Sequence, residues 1–101
     1  MSKVTVLAKL TAAPGKRDEL AEALQALTTN AQTEPGTIVY SLHADNADAN
    51  VLWMFEVYAD DAALSAHSTS DEFKRVSKTL RPFLGAAPEL IVCTPLHGKG
   101  I

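Results

Sequence analysis

The chain holds one cysteine, Cys93. That excludes an intramolecular disulfide and fits a reducing compartment, so a cytoplasmic location is expected. Nine basic residues are outnumbered by twelve acidic ones, and no basic cluster occurs, so there is no electrostatic footprint for a nucleic acid. No apolar run approaches the roughly 20 residues that cross a bilayer, and no membrane partner is expected. Three scattered histidines and a single cysteine offer no metal-ligand spacing. Gly15 and Gly36 are isolated turn glycines, so no glycine-rich phosphate loop is present, and no nucleophile motif is found.

What is present suffices for one domain. At 101 residues, 47% hydrophobic and 21% charged, the chain reads as a single unit over 1–101 with a small core. Lys3 to Thr11 alternate, with Val4, Val6, Ala8 and Leu10 on one side and Thr5, Leu7 and Lys9 on the other. This pattern predicts a strand. The opening MSKVTVLAKLTAAPG has the flavour of a leader peptide, but Lys9 breaks its apolar stretch, so it is expected to belong to the mature fold. After the turn at Pro14 and Gly15, the stripe Leu20, Ala23, Leu24, Leu27 and Ala31 predicts a helix from Lys16 to about Thr33. Glu34-Pro35-Gly36-Thr37 ends it, because Pro35 cannot continue the hydrogen-bond ladder.

Ile38–His43 and Val51–Tyr58 read as strands joined by the polar loop Ala44–Asn50. Asp60 is placed to cap a short helix running to about His67. Thr69 and Glu72, at capping-box spacing, predict a further helix start. Its stripe is Phe73, Val76, Leu80, Phe83 and Leu84, with Pro82 expected to kink or end it. Pro88–Pro95 is the last strand, and residues 94–101 read as a loose tail. The order strand, helix, strand, strand, helix, strand favours an α+β fold of the ferredoxin-like, split βαβ plan. That is a four-stranded antiparallel sheet with helices on one face.

Helices cover only one side of such a sheet. Val51–Tyr58 is nevertheless apolar on both, with Trp53, Phe55 and Val57 one way and Leu52, Met54 and Tyr58 the other. Leaving the first three in water forgoes roughly 5–9 kcal/mol, at about 1.5–3 per side chain. The uncovered face is therefore expected to pack on an identical chain about a two-fold axis. The alternative is a monomer that folds its own tail, with Leu96 and Ile101, over this surface.

Glu34-Pro35-Gly36 with Tyr40 downstream, the run FEVYADDAALSAH from Phe55 to His67, and Ser70-Asp71-Glu72-Phe73 after it resemble the antibiotic biosynthesis monooxygenase domain. The resemblance covers nearly the whole chain. It implies a dimeric α+β barrel with a pocket between each sheet and its own helices. For the better-known members it implies cofactor-free oxygenation of quinols or anthrone-like phenols. It turns Met54, Glu56 and Tyr58 toward the pocket and Trp53, Phe55 and Val57 toward the partner, a choice that periodicity alone does not make. The haem-degrading branch carries an asparagine, a tryptophan and an iron-binding histidine where this chain has Ala8, His67 and Ser77, so the resemblance does not extend to haem. Anthrone-oxidising members carry an asparagine and a tryptophan where it has Met54 and Tyr58. The nearest pattern is a glutamate two residues before a tryptophan, followed later by a histidine. Here it reads Glu56, Tyr58 and His67.

The polar residues admit two readings each. His67 shares the apolar side of its helix with Ala63 and Leu64, either as a histidine satisfying a carbonyl near the helix end or as a pocket base. Glu56 either reaches solvent from a strand edge or is buried against His67 and orients it. Tyr58 either packs in the core or stacks on an aromatic substrate and offers its hydroxyl. Following the resemblance, His67 is expected as base, Glu56 as its orienter and Tyr58 as ring contact and donor. Val6, Ala8, Leu20, Leu24, Met54 and Leu64 would line a site oxidising a small aromatic quinol or phenol with O2, without metal or cofactor. Two other readings stay open. One is an isomerase moving a proton beside a carbonyl, with Lys74, Arg75 and Arg81 available for a phosphate. The other is a non-catalytic dimer that binds small aromatic ligands. The pattern does not say which face Tyr40 occupies, and His43 and His97 read as surface residues.

Overall fold

A computed structural model describes residues 2–101. The strands are β1 (Val4–Thr11), β2 (Thr37–Ala44), β3 (Val51–Tyr58) and β4 (Glu89–Cys93); the helices are α1 (Arg17–Ala31), α2 (Asp61–Ser68) and α3 (Asp71–Leu80). The strands form one antiparallel sheet in the order β2-β3-β1-β4. This interleaving of two β-α-β units is the ferredoxin-like plan.

β1 alternates buried and half-buried residues along its whole length. Its buried set looks toward the helices, and α1 answers with Leu20, Leu24, Leu27 and Ala31. The three leucines, at about 1.5–3 kcal/mol each, anchor this layer, and α3 adds Val76 and Leu80 to the same core. The start of α1 has no side-chain cap. Instead Arg17 Nη1 donates to the carbonyls of Asp45 and Asp48, both at 3.0 Å, tying the helix to the loop after β2. Gly15, in the preceding turn, takes a φ of 75°, where a side chain would be strained.

Asp60 caps α2 by accepting from the Ala63 N–H at 2.8 Å. The capping box expected at Thr69 does not form. Ser70 has the extended backbone a cap needs, and its hydroxyl accepts from the Phe73 N–H at 3.1 Å. Thr69 instead donates to the Ser65 carbonyl at 2.7 Å and closes α2. α3 stops at Leu80, and Pro82 lies in the single 3-10 turn that follows, Arg81–Phe83.

On the helix-free face, Phe55 stands between Ser41 and Leu7, and Leu7 is next to Ile91. Val57 corrects one expectation, since it is already 0% exposed within the single chain. It is a short side chain on a central strand, and its cross-strand neighbours are Thr5 and Val39. Trp53 is half-buried and donates its indole N–H to Asp45 at 2.8 Å. Ile91, on the edge strand, is 53% exposed. Leu96 is 88% exposed, so that residue does not cover the sheet, and residues 94–101 carry no regular secondary structure. Among the described residues, no helix is long and apolar enough to cross a membrane.

Candidate functional site

Between the sheet and its helices lies a cavity of about 560 Å³. Its floor follows from strand register. Tyr40, Glu56, Val6 and Val92 stand in one row across the four strands, and Met54, Ala8 and Leu90 stand in the next. Leu24 from α1, Leu64 and His67 from α2, and Phe73 and Leu80 from α3 close over it. The polar groups gather at the first row, while the second is wholly apolar.

His67 lies in the last turn of α2 and is 4% exposed. Its Nδ1 is 2.9 Å and 3.1 Å from the two carboxylate oxygens of Glu34. A carboxylate only accepts, so Nδ1 carries a proton, and in the neutral imidazole Nε2 is then the nitrogen with the lone pair. Nε2 is buried and makes no hydrogen bond among the described residues, and His67 forms part of the cavity wall. Glu34 Oε1 also accepts from the Thr37 hydroxyl at 2.9 Å. Three rings hold the imidazole in place: Tyr40, Phe73 and Tyr58, with centroids at 4.9, 5.1 and 5.5 Å.

Glu56 was expected to orient His67, but the hydrogen bond to the imidazole belongs to Glu34. Strand alternation puts Glu56 and Tyr58 side by side on one face, and they pair with each other. The Tyr58 hydroxyl donates to Glu56 Oε1 at 2.5 Å. Burial pushes the Glu56 carboxyl above its usual range, while the Tyr58 hydrogen bond and nearby His67 oppose that rise. The Tyr58 phenol is raised by burial and then by its bond to Glu56. The Tyr40 phenol is raised by burial and then by the Glu56 and Glu34 charges. Both phenols therefore stay protonated, and that of Tyr58 donates to Glu56.

Among the residues expected to line the site, Val6, Ala8, Leu24, Met54 and Leu64 stand at the cavity. Leu20 does not; it is 0% exposed in the core between α1 and the sheet. Tyr58 is likewise 0% exposed and lies behind the wall, and the aromatic hydroxyl at the cavity is that of Tyr40. Of Lys74, Arg75 and Arg81, only Arg81 reaches the wall, and Arg75 is paired with Glu72 on the surface. The three do not form a phosphate cradle.

The sequence assigns no site role to Glu34 and leaves the face of Tyr40 open. Glu34 looked like a helix stop, and its partner lies 33 residues further on. No local pattern marks such a pair. Tyr40 carried a usable signal: once the β2–β3 hairpin pairs Ala44 with Leu52, counting back sets Tyr40 beside Glu56.

A family model described as antibiotic biosynthesis monooxygenase matches residues 3–79 of the chain. The crystal structure of PA3566 from Pseudomonas aeruginosa is 32% identical, with a TM-score of 0.86 over 96% of this chain and 97% of that one. A candidate antibiotic biosynthesis monooxygenase from Caulobacter crescentus is 27% identical, with a TM-score of 0.90 over 95% and 92% of the two chains. Rv0793 from Mycobacterium tuberculosis is 28% identical, with a TM-score of 0.87 over 97% and 99%. A curated relative, the uncharacterized protein sll1783 of Synechocystis, is 27% identical over 88 residues. That match spans 87% of this chain but only 55% of the relative.

Proposed function

The chain belongs to the antibiotic biosynthesis monooxygenase family, and from that premise we propose that it oxygenates an aromatic quinol or phenol with O2 in the cavity above the sheet. The unpartnered, buried Nε2 of His67, a residue of the mostly apolar cavity wall, carries this reading. With Nδ1 held by Glu34, Nε2 is the nitrogen free to take a proton from a ligand hydroxyl. Deprotonation makes the ring electron-rich enough to reduce O2. One oxygen atom then ends on a ring carbon and the other leaves as water, all four electrons coming from the substrate, as when a benzene-1,4-diol becomes a hydroxyquinone. Tyr40, protonated and at the wall, donates to the developing oxyanion. Glu56, next to Tyr40 on the neighbouring strand, keeps its second oxygen for a further ligand hydroxyl. The apolar second row excludes water from the reacting ring.

A cavity of about 560 Å³ lies within the range of roughly 300–1,000 Å³ that holds a drug-sized molecule. A ligand of more than one ring is therefore admitted. The protein is proposed to act as a homodimer. The row of Phe55, Leu7 and Ile91 on the helix-free face offers the apolar surface for a second copy.

The test is oxygen uptake by metal-free protein with a simple quinol, measured above the rate in buffer. The wild type is expected to accelerate uptake, and His67→Ala to lose roughly 100- to 10,000-fold of that acceleration while remaining folded. Equal rates for the two proteins remove His67 from the chemistry.

A further inference from the structure

Gly36 is a glycine whose backbone does not require one. Positive φ among the glycines occurs at Gly15 and Gly100 only, so at Gly36 the missing side chain, rather than the torsion, is what the fold uses. A Cβ built there would lie 2.5 Å from the Ala63 Cβ and 3.5 Å from the Ala63 Cα. Carbon atoms pack at about 3.5–4.0 Å. A methyl group at position 36 therefore needs about 1 Å of room, and it meets a Cβ fixed to the α2 backbone. The turn cannot easily yield instead, because the Gly36 carbonyl accepts from the Ala59 N–H at 2.9 Å just beyond β3. It is α2 that has to move.

α2 carries His67 one turn after Ala63, on the same face of the helix. Glu34, which binds His67, is two residues before Gly36 in the same turn. We infer that Gly36 is a positioning residue: its bare Cα lets Ala63 seat against the Glu34–Gly36 turn, and that seating brings His67 Nδ1 within 2.9 Å of Glu34. Moving α2 out by about 1 Å takes this contact past the usual limit of about 3.2 Å for N–H···O. The base then loses the partner that fixes its tautomer and direction. The inference rests on the functional reading for its catalytic consequence, though not for its geometry.

The test is a pair of compensating substitutions. Gly36→Ala adds a methyl group and Ala63→Gly removes the one it meets. In the double variant the nearest atom to the new Cβ is the Ala63 Cα at 3.5 Å, an ordinary contact. The direct readout is the nitrogen-15-coupled resonance of the His67 Nδ1–H, which is protected from exchange only while Glu34 holds it. Gly36→Ala is expected to shift or lose that resonance and to lower kcat about 10- to 100-fold with a smaller change in KM, as a 1 Å misplacement does. The double variant is expected to recover both. Retention of the wild-type resonance in Gly36→Ala overturns the inference. So does a double variant that lacks the resonance or fails to fold, whether or not Gly36→Ala itself folds. If the wild type turns over no quinol, the oxygenase reading falls while the resonance still decides the role of Gly36.

Discussion

His67 Nδ1 stands 2.9 Å and 3.1 Å from the two carboxylate oxygens of Glu34, a residue 33 positions earlier in the chain. The end of α2 and the turn after α1 are thereby joined at the cavity wall. The carboxylate fixes which imidazole nitrogen is held in a hydrogen bond and which is left free. If that choice matters for the chemistry, Glu34→Ala should lower kcat roughly 10- to 100-fold through loss of orientation. Glu34→Gln, whose amide oxygen still accepts from Nδ1–H, should fall in between. Steady-state oxygen uptake with a quinol checks the ranking. Wild-type kcat in Glu34→Ala would mean that the pair is structural only.

Glu56 sets a stability trend with pH. Burial raises its carboxyl above the usual range despite the Tyr58 hydrogen bond, so the folded state holds that proton more tightly than the unfolded chain does. Its contribution is fully present below the ordinary carboxylate value and is lost as pH rises through the raised one. Glu56→Gln removes the charged form altogether. The variant should melt a few degrees above wild type, roughly 4–8 °C per kcal/mol for a domain near this size, at pH 7–8. The gap should close as pH falls to about 4, near the ordinary glutamate value. Thermal melts across that window test it. A variant less stable than wild type at pH 8 would show that the Tyr58 bond outweighs burial.

The two tyrosines are expected to separate stability from function. Tyr58→Phe leaves a buried carboxyl without its donor, an effect of about 1–3 kcal/mol. Tyr40→Phe removes a hydroxyl from a residue of the cavity wall. Urea denaturation should therefore show a clear loss for Tyr58→Phe and under about 1 kcal/mol for Tyr40→Phe. Turnover should be reduced more by Tyr40→Phe, once each rate is corrected for folded fraction. The reverse order would return Tyr58 to the role of ligand contact.

The proposed dimer can be tested at its apolar row. Ile91 is 53% exposed and adjoins Leu7, which adjoins Phe55. Ile91→Asp places a charge at the edge-strand end of the apolar row expected to pack on the second copy, where an unpaired buried charge is strongly disfavoured. Light scattering at micromolar concentration should report a dimer for the wild type and a monomer for the variant. A wild type that runs as a single chain removes the second copy from the account.

Much of the architecture is carried by local pattern. The alternation of Val4, Val6, Ala8 and Leu10 and the leucine stripe of α1 each have a period that one type of element satisfies, while β3 is legible from its short length and its β-branched and aromatic residues. The element order then leaves few ways to connect them. Small shifts came from competition between neighbours of similar chemistry, as when Ser70 rather than Thr69 capped α3.

The site is a different matter. The amino-acid sequence determined that Glu56 and Tyr58 share a face, because residues two apart on a strand must. It also determined that His67 lies on the apolar side of its helix. Tertiary structure alone decided that His67 takes Glu34 and that Tyr58 withdraws behind the wall while Tyr40 meets the cavity. Hydrogen bonds reach only about 3 Å, so their partners are chosen by how α2 seats on the α1–β2 turn. That seating depends on contacts such as Gly36 against Ala63, between segments whose distance along the chain carries no periodic signal.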